Sequence, residues 1–198
     1  MLTKAEITSQ YILDTVAPIF NQNGYAATSL KDITEATGLT KGAIYGNFEN
    51  KERLAIEAFR FTVKKLLMEI SKHMSQSDSP KQKLFLLSDF YRNYYDYSKR
   101  LGGCPILNIG VDANNQNALL LKKVRQVIEK IQDKIAALIE DGIEVRELSS
   151  EINAMHYAKR IDSMLQGAIF MTYTMNDDFY LKDSADQIDQ MIIEEMSY

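Results

Sequence analysis

Between Thr28 and Arg53 the chain reads TSLKDITEATGLTKGAIYGNFENKER, and these residues hold three helix starts and one hard stop. Thr28 and Ser29 offer hydroxyl N-caps to a segment with Leu30 and Ile33 at helical spacing. Gly38 follows Thr37 where that helix must end, because glycine takes a left-handed C-cap without steric strain. Thr40 caps a second helix, with Ile44 and Phe48 pointing one way and Lys41, Gly42, Tyr45 and Gly46 tiling the other. Asn50 then caps a longer helix whose first turn carries Lys51 and Glu52.

Two short helices across a glycine turn make a helix-turn-helix, whose second helix is shaped to enter a DNA major groove. Its outward face is unusual, since two interior glycines cost about 1 kcal/mol each relative to alanine. A face that must approach a phosphate strand closely gives a reason for them. Lys41 and Tyr45 beside them can hydrogen-bond phosphate oxygens. Asn47 has the amide geometry to read an adenine edge, and the Lys51 amine stands near orphan N–H groups that favour a phosphate. The plainer alternative is a helical hairpin with a solvated face.

The run from Phe20 to Leu54 resembles the DNA-binding domain of the TetR family of bacterial one-component regulators. The resemblance rests on Phe20, Gly24 and Tyr25, the Thr28–Ser29 helix start, the block Gly38-Leu39-Thr40-Lys41-Gly42, and Ile44, Tyr45, Phe48 and Lys51. It covers roughly the first quarter of the chain. It implies DNA contacts from Thr40, Lys41, Gly42, Tyr45, Asn47 and Lys51, with Thr28 and Ser29 near the duplex backbone. Thr34 stands where many members have alanine. Gly46 stands where many carry an aromatic or histidine side chain, so one usual DNA contact is missing.

Apolar content of 45% and charged content of 25% are those of a soluble globular protein. No apolar run approaches a membrane span, and the opening MLTKAEITSQYIL lacks a signal-peptide layout, so a cytoplasmic location is expected, with no membrane partner. One cysteine excludes an intrachain disulfide and a cysteine-based zinc cluster. His73 and His156 lie far apart and suggest no metal motif. There is no nucleophile elbow, paired histidine and carboxylate, or phosphate-binding glycine loop, so neither an enzyme nor a cofactor is expected.

The net charge is −4, and the N-terminal region is not basic in bulk. Lys4, Lys31, Lys41, Lys51, Arg53 and Arg60 face Glu6, Asp14, Asp32, Glu35, Glu49, Glu52 and Glu57 in residues 1–60. DNA binding would then rest on oriented local groups, with a shallow salt dependence.

Helical spacing recurs nearly throughout, with few glycines and three prolines, which predicts an all-α chain of about nine helices. A three-helix helix-turn-helix domain is expected over residues 1–50 and a helical ligand-binding and dimerisation domain over 51–198. The first helix should run from about Lys4 to Asn23 with Ile7, Tyr11, Val16 and Phe20 inward, ended by Gly24. A fourth should span Asn50 to about His73, with a loop at Ser75–Pro80. A fifth, Lys81–Lys99, carries Leu84, Leu87, Phe90 and Tyr91, Tyr94, Tyr95 and Tyr97. Helices at Pro105–Ala113, Gln116–Asp141, Ser150–Thr174 and Asp183–Met196 complete the set.

Aromatic side chains at helical spacing usually form core. Four tyrosine hydroxyls on one helix, however, want partners that a polar-aromatic cavity would supply. Phe90, Tyr94 and Tyr97, with Asn108 and with Met164, Ala168 and Met171 on the eighth helix, are the candidate lining for an unidentified small-molecule effector. Cys104, between a double glycine and Pro105, reads as a small buried residue or as a redox-sensing thiol. The last two helices carry apolar faces beyond what one small core needs, which suggests a homodimer. The family resemblance implies repression of a palindromic operator, relieved by the effector. Control by a protein partner or by Cys104 oxidation is the alternative.

Overall fold

The computed structural model describes residues 3–114 and 116–198. Met1 and Leu2, which open the stretch read for a signal layout and the 1–50 segment, lie outside them. The described residues form ten α-helices and no strand. The extra helix comes from the expected Lys81–Lys99 segment, which divides into α5 (Pro80–Arg92) and α6 (Tyr94–Lys99). Asn93 makes the break: its φ of −106° and ψ of 8° are not helical, and its N–H turns back to the Phe90 carbonyl at 3.3 Å.

Two compact units emerge, Met1–Leu66 with Ser98–Arg125, and Leu67–Tyr97 with Gln126–Tyr198. In the first, α1 (Lys4–Ala27) packs against α2 (Leu30–Thr37), α3 (Lys41–Phe48) and α7 (Pro105–Ala113). The start of α4 (Lys51–Met74) closes the core, in which Ile12, Val16, Phe20, Ile33, Ile44, Phe48 and Leu54 are buried together. The inward stripe of α1 is therefore Ile12–Val16–Phe20. Ile7 and Tyr11, expected inside, are 57% and 49% exposed, because a stripe running i, i+4, i+8 back from Phe20 passes through Ile12. The helical trace breaks at Gly24, φ 81°, as its glycine suggested, and a short turn carries the chain to Thr28.

A polar lock ties α1 to the 101–108 segment of the same unit. The Asn21 amide donates to the Leu101 and Gly103 carbonyls at 2.6 and 2.8 Å. The Asn108 amide donates back to the Asn21 carbonyl at 2.9 Å and to Gly102 at 3.2 Å. Cys104 stands at the N-cap position of α7 and is 1% exposed, so it lacks the access that oxidation sensing requires.

In the second unit α10 (Phe179–Glu194) packs on α5 and on α9 (Ala154–Met175). The Arg92 guanidinium grips Asp186 and Asp189 at 2.7 and 2.5 Å, and the Ser88 hydroxyl donates to Asp189. At the other end of α5 the Glu147 carboxylate accepts from the Ser79 hydroxyl at 2.7 Å and the Lys81 N–H at 2.9 Å. Those bonds hold the Glu147 carboxyl below the ordinary glutamate range. The helix α8 (Ala118–Glu144) contributes residues to both units.

Candidate nucleic-acid interface

Local capping sets where the helices of the helix-turn-helix start and stop. The Ser29 hydroxyl accepts from the Asp32 N–H while the Asp32 carboxylate accepts from the Ser29 N–H at 2.7 Å, a reciprocal capping box. Gly38 ends α2 at φ 66°, its N–H returning to the Thr34 carbonyl at 2.9 Å. Thr40 opens α3 by accepting from the Ala43 N–H at 3.2 Å, and Asn50 opens α4 by accepting from Arg53 at 2.9 Å. Ile44 and Phe48 anchor α3 inward, as their spacing predicts.

On the outer side Thr40, Lys41, Gly42 and Gly46 are exposed and Tyr45 is half-buried. The Lys41 amine lies 5.9 Å from the Tyr45 ring centroid, so the two form one cationic-aromatic patch. A methyl added at Gly46 would meet nothing within 4 Å, and one at Gly42 only the Thr40 hydroxyl at 4.0 Å. Packing inside the chain therefore gives no reason for either glycine.

Lys51 sits with its amine 4.5 Å from the Tyr25 ring. Burial pushes its pKa below the ordinary lysine value, while Asp112 and Asp32 pull the other way. Asp112 was not legible as part of this region. It comes from α7, and its carboxylate accepts the Tyr25 N–H at 2.6 Å. Nothing local in the sequence signals a pairing across 87 positions.

The eight expected DNA contacts do not share one environment. Ser29, Thr40, Lys41, Gly42, Tyr45 and Lys51 lie at helix starts or on the outer side of α3. Thr28 is fully buried, and its hydroxyl donates to the Gly24 carbonyl at 2.7 Å, so it serves the helix junction. Asn47 is half-buried and turned toward α1.

Of the candidate effector residues, Phe90, Tyr94 and Tyr97 form one ring cluster, with centroids 5.5 to 6.1 Å apart. Tyr91 joins it at 5.0 Å from Tyr94. Ala168 is buried and Met164 and Met171 are half-buried on α9, in the same unit. Next to Met171 the Thr172 hydroxyl is fully buried with no hydrogen-bond partner among the described residues. Asn108 belongs to the other unit, where its amide is committed to Asn21 and Gly102. Among the described residues no cluster could hold a metal ion, and no helix is long and apolar enough to cross a membrane.

Residues 12–58 match the family described as bacterial regulatory proteins, tetR family, and residues 80–188 match the tetracyclin repressor-like C-terminal domain. An uncharacterised HTH-type transcriptional regulator, YxaF of Bacillus subtilis (strain 168), is 29% identical over 197 residues, covering 96% of this chain and 98% of that one. The structure of a TetR-family regulator from Cytophaga hutchinsonii superposes with a TM-score of 0.90 at 31% identity, covering 98% and 96% of the two chains. A TetR regulator from Chloroflexus aurantiacus J-10-FL gives 0.92 at 29% identity, covering 98% of each.

Proposed function

The chain belongs to the TetR family of DNA-binding transcriptional regulators, and from that premise we propose that it is a homodimeric repressor released from a palindromic operator by a small molecule. The observation that carries the DNA half is the outer side of α3, where Lys41 and Tyr45 flank two glycines that nothing in the chain requires. Both residues would hold phosphates, with Thr40, Ser29 and Lys51 beside them. The bare backbone at Gly42 and Gly46 would let the helix settle close to a strand.

Pairing would use α9 and α10. Phe170 and Ile193 are 51% and 58% exposed, and a methyl added at Gly167, one turn before Phe170, would meet nothing within 4 Å. A small residue beside a large apolar one suits close approach by another helix. Two heads would meet successive major grooves, about 34 Å apart. The effector half is supported by the aromatic cluster of the second unit and by the Thr172 hydroxyl, a buried donor that a ligand would satisfy. An effector shifts the balance of DNA-competent and incompetent forms by no more than its differential affinity for them. Such a repressor works in the cytoplasm, beside the chromosome.

The test is selection from a randomised duplex pool by the purified chain at two salt concentrations, with its mass measured in solution. Enrichment of a palindrome by a dimer supports the reading. A folded protein that enriches nothing overturns it.

A further inference from the structure

The helix α3 is a poor helix by itself. It has eight residues, two of them interior glycines, well short of the length at which an isolated helix persists in water. Its hold on the core comes from Ile44 and Phe48, with Tyr45 packed partly against the same cluster. Two polar bonds from α1 add to those apolar contacts. The Ser9 hydroxyl donates to the Asn47 Oδ1 at 2.9 Å, near the C-terminal end of α3. The Tyr11 hydroxyl donates to the Thr37 carbonyl at 2.9 Å, one of the last carbonyls of α2 and left without a helical partner. The first turns of α1 thus brace the last turns of both helices of the motif.

Asn47 is the central piece of this brace. Its Oδ1 accepts from Ser9, and its Nδ2 donates to the Ala43 carbonyl one turn back at 2.8 Å. Reading an adenine requires both ends of an amide presented together, the donor to N7 and the acceptor to the N6 amine. Here one end faces α1 and the other its own helix, so the bidentate pose needs both bonds broken. Gly46 beside it offers no side chain. The C-terminal half of α3 therefore presents little to a base edge.

We propose that Asn47 is a positioning residue, locked by Ser9, and that it makes no base contact of its own. The proposal builds on the DNA-binding reading and assigns α1 a part in it. Ser9 acts on the operator through Asn47, by fixing the angle at which α3 meets the groove.

The experiment compares the wild-type chain with Ser9→Ala, Asn47→Ala, the double variant and Ser9→Thr. Each is put through the same randomised duplex pool, and the affinity for the wild-type consensus duplex is measured. Melting temperature and solution mass confirm folded dimers. A positioning role predicts a loss of about fivefold per head, or about 25-fold for a dimer, in either alanine variant, as for one hydrogen bond in each head. It also predicts an unchanged base preference at every position, a double variant no weaker than the singles, and restored binding by Ser9→Thr. Relaxed preference at one base pair in Asn47→Ala, with Ser9→Ala binding normally, would make Asn47 a base reader and overturn the proposal. Should the wild type itself enrich nothing, the DNA-binding reading falls, and this assignment with it.

Discussion

The Tyr25 backbone N–H donates to the Asp112 carboxylate at 2.6 Å, and that carboxylate fills the space where a side chain at Gly24 would stand, 2.7 Å from where its Cβ would be. The turn between α1 and α2 is thus set jointly by a glycine at φ 81° and a carboxylate from α7. Substituting Asp112 with alanine strands a part-buried N–H and should destabilise the fold by about 1–3 kcal/mol. Gly24→Ala combines a left-handed backbone with a collision and should lose at least about 1 kcal/mol. Urea denaturation of each variant checks both values.

The glycines of α3 predict opposite signs for two measurements. With open space beside it, Gly46→Ala should stabilise the helix by roughly 1 kcal/mol. If α3 uses its bare backbone to approach DNA, the same variant should bind the selected duplex more weakly. A raised melting temperature with unchanged affinity would remove the close-approach explanation.

Lys41 bears on ionic strength. A phosphate contact contributes about 0.9 to the slope of log affinity against log salt, so Lys41→Gln in both subunits of the proposed dimer should lower that slope by about 2. The overall slope should already be shallow, because the head carries nearly balanced charge.

Pairing through α9 and α10 is tested by Phe170→Glu and Ile193→Glu. Both side chains are exposed within one chain, so either change should leave helical circular dichroism intact. Sedimentation should show a shift toward monomer, and DNA affinity should fall with it. A dimer retained in both variants places the interface elsewhere.

Acid should loosen the cap on α5. The folded-state pKa of Glu147 is depressed by its bonds to the Lys81 N–H and the Ser79 hydroxyl. Its stabilisation is therefore present above the ordinary glutamate range and is lost as pH falls below it. Glu147→Gln should flatten that part of the stability-versus-pH curve, as read by melting temperature between neutral and acidic buffer.

The helix-turn-helix was legible because its determinants are local. Ser29, Gly38, Thr40 and Asn50 each act within three or four residues of themselves, and Ile44 and Phe48 announce the buried side by spacing alone. The break at Asn93 was harder to see, since Tyr94 to Tyr97 continue a helical pattern and only the backbone of one asparagine departs from it. The orientations of Asn47 and Asn108 were not legible at all. Each is decided by a partner on α1, 38 and 87 positions away, and neither amide carries in its own neighbourhood any sign of which way it turns. Tyr11 misled for the same reason, because its ring looks like core until its hydroxyl is seen to reach Thr37.

The helix α5 is held at its first turn by Glu147 and at its last by Asp186 and Asp189. It is a fixed ruler between two anchors. One residue added or removed between Pro80 and Arg92 would turn the guanidinium by about 100° and draw it about 1.5 Å along the axis, off both aspartates. Length variation within a lineage of such chains should therefore collect outside this segment, in turns such as 176–178, which hold none of the anchoring residues.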